Sequence, residues 1–558
     1  MLKKQIQQII HDAIAEVGIT ISDDLKSKIT VTYPDPAMGD YATNAGLILA
    51  KSANLNPNEL ALQLIAKMDQ TDFEKIEVAG PGFINFKLKT QVLIQAVGNR
   101  EPAVVKSEKI LVEYFQPNVA KPLHLGHLET AIIGDSISRM LKFLGHHVES
   151  DTHMGDWGTQ FGLLVLAYKK YGTPNIEADP ITELNKLYIR INEEVEADPK
   201  LKEDAKQEFV KIENGDAENL AIWKKFVDWS MEKFLKINEL MNIQQFDHHW
   251  PESFYQDKMP RILMDLKAKG ILKESQGAQI VDLENQGLGI ALIVKSDGGT
   301  TYLLRDLATF VYRKSLGFNK QLYVVDVRQA HAFRQLFAIL KMLGYYSDSE
   351  GVHIDYGYMS FKGEALSTRK GNMILAEDVI TTAKEKVAKI IADKNPELAG
   401  AQEIIGSVAQ GAVKYFILSH NRHSDIEFDW NKALDFEGDS GPYLQYTHAR
   451  LSSILRKVGS KGSFVEGVKI SDTERQVLFV SSILDEAVND SLKDYMPNVL
   501  ANYLLSFATL LNRFYHESPV TSEKDESIKN FRLALIAVAK KTLGKGLDLL
   551  GIDPLEEM

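Results

Sequence analysis

Two histidines flank a glycine at His124-Leu125-Gly126-His127, directly after Pro117-Asn118-Val119-Ala120-Lys121-Pro122-Leu123. The apolar run that follows has helical spacing, so the histidines sit at a helix start. The exposed N–H groups and the dipole of a helix N-terminus attract an anion such as phosphate. Imidazoles placed there can donate hydrogen bonds to phosphate oxygens. Gly126 lets a flat ring such as adenine approach the backbone, and Lys121 offers a mobile positive charge. The bland alternative for H-x-x-H alone is helix capping or packing. Zinc fits poorly, since neither H-E-x-x-H nor any cysteine completes a site. A second segment, Leu366-Ser367-Thr368-Arg369-Lys370-Gly371-Asn372, gathers hydroxyls, cations and a glycine in an expected loop. Such a loop can stabilise charge on a polyphosphate in an in-line transition state, although basic loops are often merely solvated. The chain lacks G-x-x-x-x-G-K-[ST], which disfavours a P-loop ATPase, and no G-x-G-x-x-G follows a strand.

The elements that must hold these residues form a strand–loop–helix unit. KILVEYF (109–115) is an apolar strand candidate. Leu128, Ile132, Ile133, Ile137, Met140, Leu141 and Leu144 then mark one face of a helix that stops at Gly145. QLYVVDV (321–327), followed by a helical pattern at 332–343, repeats the unit. Separated strand–helix units imply a parallel α/β sheet with an insertion, here charged and helical over about 165–260. Residues 1–90 read as a small α+β module, with a first amphipathic helix and strands at 76–80 and 83–88 around Pro81-Gly82. Residues 108–400 form the α/β core, and 401–558 a helical bundle. The expected fold is thus multidomain α/β plus all-α, with a Rossmann-like parallel-sheet core.

Composition sets the outer bounds. The 558 residues carry 64 Lys+Arg against 76 Asp+Glu, a net charge of −12, with 44% apolar residues. This is the balance of a folded globular chain and not a disordered one. An acidic average argues weakly against a nucleic-acid coat protein, yet permits binding through local basic faces. The chain contains no cysteine, which removes disulfides, Fe–S clusters and thiol nucleophiles and fits a reducing compartment. No apolar stretch is long enough for a membrane helix, and no secretion signal is evident, so no membrane partner is expected.

The two signature segments together resemble the HIGH and KMSKS motifs of class I aminoacyl-tRNA synthetases. GDWGTQFG (155–162), TTYLLRDLA (300–308), STRKGN (367–372), EGDSGPYLQYTHAR (437–450), GDYATN (39–44) and VAGPGFINF (78–86) resemble blocks of the arginyl-tRNA synthetases. The resemblance spans essentially the whole chain. It implies an arginine pocket drawing on Glu113, Gln116, Pro117, Asn118, His127, Tyr302, Asp306 and Gln329. A planar guanidinium with five donors suits Asp306 as a charge-assisted acceptor, with Tyr302 packing nearby. Asn118 and Gln329 suit the amino-acid backbone end, and Glu113 the α-amino group. The plainer reading of Asp306 is an ion pair with Arg305 or Arg313. Gln116 stands where the family usually has a small residue. ATP is implied as substrate with Mg²⁺, bound at His124, Gly126 and His127. Catalytic charge stabilisation is implied for Lys121, His124, His127, Ser367, Thr368, Arg369 and Lys370, with no resident protein metal site. The resemblance further implies arginyl-adenylate formation, transfer to tRNA(Arg), and a monomeric cytoplasmic enzyme. The N-terminal module would contact the tRNA elbow and the C-terminal bundle the anticodon region. Tyr503, Phe507, Arg513, Tyr515, Lys540, Lys541 and Lys545 are available there, with no base-reading residue assigned. The alternatives are a catalytically silent tRNA-binding relative or a class I synthetase of another specificity.

Overall fold

A computed structural model describes residues 2–98, 107–172, 176–361, 374–394, 401–465 and 467–558. Four parallel strands form the sheet that positions the site: Gly351–Ile354, Lys320–Val324, Lys109–Glu113 and His147–Asp151, in that spatial order. Their apolar runs suit a sheet covered on both faces. Helix Leu125–Phe143 joins the strands Lys109–Glu113 and His147–Asp151, burying its apolar stripe against them. Strand Lys109–Glu113 stops two residues short of the expected Phe115, because Phe115 takes φ +67° and leaves the extended region. The strand expected over 321–327 ends at Val324 and passes into a 3₁₀ turn, Val327–Gln329, capped by Asp326.

The charged insertion consists of helices Pro180–Ala197, Pro199–Glu213 and Ala217–Leu240, preceded by Thr159–Tyr171. They share a core that includes Phe161, Phe209 and Phe226. A three-stranded antiparallel sheet, Leu272–Ser275, Ala278–Asp282 and Ile290–Val294, follows and was not expected. Its strands are too short and half-exposed for a clear period-two signal. Its first turn, Gln276-Gly277, has φ +51° and +76°, the backbone of a tight two-residue hairpin.

The N-terminal module packs helices against an antiparallel sheet ordered Val31–Thr32, Tyr41–Thr43, Phe83–Leu88, Phe73–Ala79. Helices Gly441–Val458, Asp472–Ser482, Leu484–Lys493, Pro497–Glu517 and Glu526–Leu549 make up the C-terminal bundle. The two ends of the chain meet. Arg475 forks onto Asp40 with two 2.7 Å bonds, and Glu486 accepts from Tyr33 and Tyr41. One hydrophobic core continues from the N-terminal module through the parallel sheet into the bundle.

Candidate active site

The histidine motif stands where the parallel strands end, the place at which open α/β sheets bind ligands. His124 is the N-cap of helix Leu125–Phe143, and its backbone N–H donates to His127 Nδ1 at 3.2 Å. That bond leaves Nε2 of His127 as the protonated, donating nitrogen. The two rings stack with centroids 3.8 Å apart. Burial, and then His124, push His127 down to about 3, so its ring is uncharged at neutral pH. Burial and Arg328 also lower His124. A Cβ on Gly126 would lie 3.2 Å from the His124 ring, so the glycine allows this ring pair as well as close approach of a ligand.

The preceding loop is unusual in its backbone. Ala120 takes φ +62°, and its N–H donates to Ser230 on the insertion. Lys121 carries its ammonium 5.2 Å from the centroid of the Tyr188 ring, also on the insertion. Val119 donates to Gly155 O at 3.0 Å, and Gly155 donates to buried Pro117 at 3.1 Å. Gly155 is close enough to Asn118 that a Cβ would come within 2.3 Å of its Oδ1. Ser367, Thr368, Arg369 and Lys370 lie outside the described residues. The chain that follows them returns to the histidines: Leu125 donates to Ile374 O and Ala376 to Leu123 O, both at 3.0 Å.

A second group of residues surrounds helix Tyr302–Ser315. Tyr302, its first residue, is 70% exposed, with the Arg305 guanidinium 5.6 Å from its ring. The plain reading of Asp306 as a partner of Arg305 or Arg313 is not what the structure has. Arg305 binds Glu252 at 2.8 Å, and Arg313 binds Glu113 and Asp151. Among the described residues, Asp306 has no hydrogen bond or ion pair. Burial, then Glu113, push its carboxyl up to about 7 against the pull of Arg305 and Arg313. Burial likewise lifts Glu252 to about 7 and Asp156 to about 6. Asp156 accepts two bonds from Ser253.

Glu113 does not face an open pocket. It is buried against Arg313, and Gln116 Nε2 donates to it and to Val324 O, each at 3.3 Å. The Gln116 side chain is therefore bound to the sheet. Gln329 ends its 3₁₀ turn exposed and, among the described residues, without a side-chain hydrogen bond. Glu113, Asp151 and His153 bring ligand-type atoms within 4.8 Å of one another, yet Arg313 already supplies their cation. The sequence points to Arg313 only as an ion-pair candidate for Asp306, and not to Glu252 at all. Their partners lie 53 and 200 residues away in sequence, and no local pattern signals such pairs.

A parallel sheet with an H-x-x-H helix start at its strand ends, split by a helical insertion and closed by a helical bundle, defines a class I aminoacyl-tRNA synthetase. The family model for the class I (R) tRNA synthetase catalytic domain matches residues 89–430. Models for the arginyl tRNA synthetase N-terminal domain and the DALR anticodon binding domain match 3–88 and 444–558. The chain belongs to the arginyl-tRNA synthetase family. It is 39% identical to an arginine–tRNA ligase of Ligilactobacillus salivarius, with 100% of both chains covered. It is 37% identical to that of Alkaliphilus metalliredigens, covering 100% of this chain and 99% of the relative. Among solved structures, the Thermus thermophilus arginyl-tRNA synthetase matches with a TM-score of 0.86 at 25% identity, covering both chains fully. The Plasmodium falciparum enzyme matches with a TM-score of 0.83 at 25% identity, covering 100% and 99%.

Proposed function

We propose that this chain joins L-arginine to tRNA(Arg) in two steps. The arginine carboxylate attacks the α-phosphate of ATP, releasing pyrophosphate and leaving arginyl-adenylate. A hydroxyl of the 3′-terminal adenosine of the tRNA then attacks the adenylate carbonyl, and AMP leaves. Neither step needs a protein nucleophile. The enzyme works by positioning and by stabilising charge on the pentavalent phosphate. His124 and neutral His127 donate to phosphate oxygens at the helix start, and Lys121 and the cations of 367–370 add charge. Mg²⁺ enters with ATP as part of the substrate, held by phosphates and water.

The observation that carries the arginine reading is Asp306. Among the described residues it has no ion-pair partner, while both arginines of its own helix are engaged elsewhere. A substrate guanidinium supplies that missing partner, beside Glu252 and the exposed Tyr302 ring. Asn118 and Gln329, both exposed, suit the backbone end of the amino acid.

The tRNA reading rests on residues 1–90 for the elbow and 401–558 for the anticodon region, with 108–400 as the catalytic core. In the bundle, Arg450 lies 4.7 and 5.0 Å from the centroids of the exposed Tyr446 and Tyr515 rings and donates to Asn512. Tyr446, Arg450, Asn512, His516 and Met558 line a cavity of about 550 Å³. Rings, a guanidinium and an amide around such a space suit an unstacked base. Phe507 is core, and Tyr503 donates to Val480 O, so neither is free for this task. A monomeric, cytoplasmic enzyme completes the reading.

The test is ATP–pyrophosphate exchange with each of the twenty amino acids, with and without total tRNA. Exchange with arginine alone supports the reading, and its appearance only with tRNA adds a tRNA requirement. Folded protein that exchanges with no amino acid points to a silent tRNA-binding relative.

A further inference from the structure

Arg313 lies seven residues after Asp306 on helix Tyr302–Ser315 and is fully buried. Seven residues are about two helical turns, so both side chains leave one face. Its Nη1 binds Glu113 Oε2, and its Nη2 binds Asp151 Oδ2 at 2.5 Å. Glu113 and Asp151 are register partners at the ends of neighbouring parallel strands. The guanidinium has two rings near it, 5.9 Å from the Tyr255 centroid and 5.7 Å from the Tyr323 centroid. Asp151 also accepts from Trp250 N, and Glu113 from Gln116. Two buried carboxylates side by side require a cation. Without Arg313, they and His153 would present a ligand set ready for a metal ion or for another guanidinium.

We propose that Arg313 is a positioning and specificity-determining residue. By neutralising Glu113 and Asp151 with the chain's own guanidinium, it leaves Asp306, two turns earlier on the same helix, as the carboxylate to which the substrate guanidinium is drawn. This rests on the arginine reading above. Without Arg313, the uncompensated Glu113 charge would hold the proton on Asp306 more firmly, since Glu113 already pushes that carboxyl up against the pull of Arg313. The substrate guanidinium would then meet an uncharged acid and lose the charge-assisted pair that seats its carboxylate at the α-phosphate. Positioning of this kind governs the rate of the adenylation step.

The test compares wild-type protein with R313Q and R313K. R313Q is expected to lose at least about 100-fold in kcat/KM for arginine in pyrophosphate exchange, with KM for ATP held within about twofold. It is also expected to bind Mn²⁺, read by electron paramagnetic resonance, where wild-type protein does not. Guanidinium ion at about 10 mM should restore at least about tenfold of the activity and expel the Mn²⁺. R313K keeps the charge without the fork and should raise KM for arginine by about tenfold. Should R313Q fail to fold, R313K decides, and a wild-type KM for arginine in it overturns the proposal. Folded R313Q with arginine kinetics near wild type also overturns it. So does an activity loss that guanidinium ion leaves untouched, because that is the mark of a merely structural role. Wild-type protein that never exchanges with arginine overturns the functional reading and this inference together. Wild-type exchange matched by R313Q overturns this inference alone.

Discussion

On the proposed arginine reading, Asp306 gives up stability for binding. Its carboxyl, pushed up to about 7 mainly by burial, holds a proton more tightly in the folded chain than in the unfolded one. Folding therefore loses free energy as pH rises from about 4 to about 7, where the folded chain must give up that proton. D306N removes the charge and keeps the shape. It should raise stability by on the order of 1–2 kcal/mol at pH 8, where the wild-type group is ionised, and by little at pH 4. Urea titrations at the two pH values check this. The same variant should weaken arginine binding by about 10- to 100-fold, the worth of a charge-assisted hydrogen bond in a sheltered site. His127 makes a contrasting prediction. Held near 3 by burial and by His124, it carries no charge at neutral pH. H127Q keeps a donor and should lower kcat by about 10- to 100-fold. It should not move the pH profile between about 5.5 and 8, since His127 does not titrate there. A profile that loses its alkaline limb in H127Q would show that the histidine works as a cation. The histidine motif was legible in the sequence because its chemistry is contiguous. The Arg305–Glu252 and Arg313–Glu113–Asp151 pairs were not, because long-range partners leave no trace in local spacing.

Elements were readable in proportion to their burial. Strand Lys109–Glu113 and helix Leu125–Phe143 lie in the core, and their apolar runs announced them. The antiparallel sheet over Leu272–Val294 carries exposed Ile290 and Leu292, and its alternation is lost in so few residues. What no periodicity reveals is the path of the loop between the strand and the histidines. Phe115 and Ala120 both sit in the left-handed region, and Gly155 closes against Asn118 from the next strand's loop. G155A separates packing from function here. The added Cβ meets the end of an exposed amide side chain, which can swing away, so stability should change by less than about 1 kcal/mol. The displaced Asn118 should still raise KM for arginine by about tenfold, because a misplaced polar contact is felt at the reacting carboxylate. Thermal unfolding and exchange kinetics on one preparation distinguish the two effects. Equal losses in both would place Gly155 in the fold and not in the site.

At the scale of the molecule, the C-terminal segment ties the signature helix to the bundle. Lys414, fully buried on helix Gln402–Ser419, donates to Asn242 O at 3.0 Å and Gly551 O at 2.9 Å, with Asp135 of the signature helix 3.6 Å away. Arg139 binds Asp135 and Asp548, and Gln410 donates to Gly551 O. From this knot the chain runs on to Leu555, whose carbonyl accepts from His448, and to Met558 at the aromatic cavity. Lys414 therefore joins three stretches that are far apart in sequence. Burial pushes it down to about 8, with Asp135 opposing the shift. Its proton is held less tightly in the folded chain than in the unfolded one, so its contribution to stability rises as pH climbs from about 8 toward the ordinary lysine value. K414M removes the charge and two hydrogen bonds, while Arg139 still pairs with Asp135 and donates to Asn242 O and Gln410 still donates to Gly551 O, so the cost near pH 7.5 is about 1–2 kcal/mol. The stability gap between wild type and K414M should then widen between pH 7.5 and 9.5, because only wild-type protein gains from releasing that proton on folding. Urea unfolding of both proteins at the two pH values measures the gap directly. A gap that stays constant would mean that Lys414 keeps an ordinary proton affinity in its buried site. A gap that narrows would mean that Asp135 outweighs burial and holds the proton on.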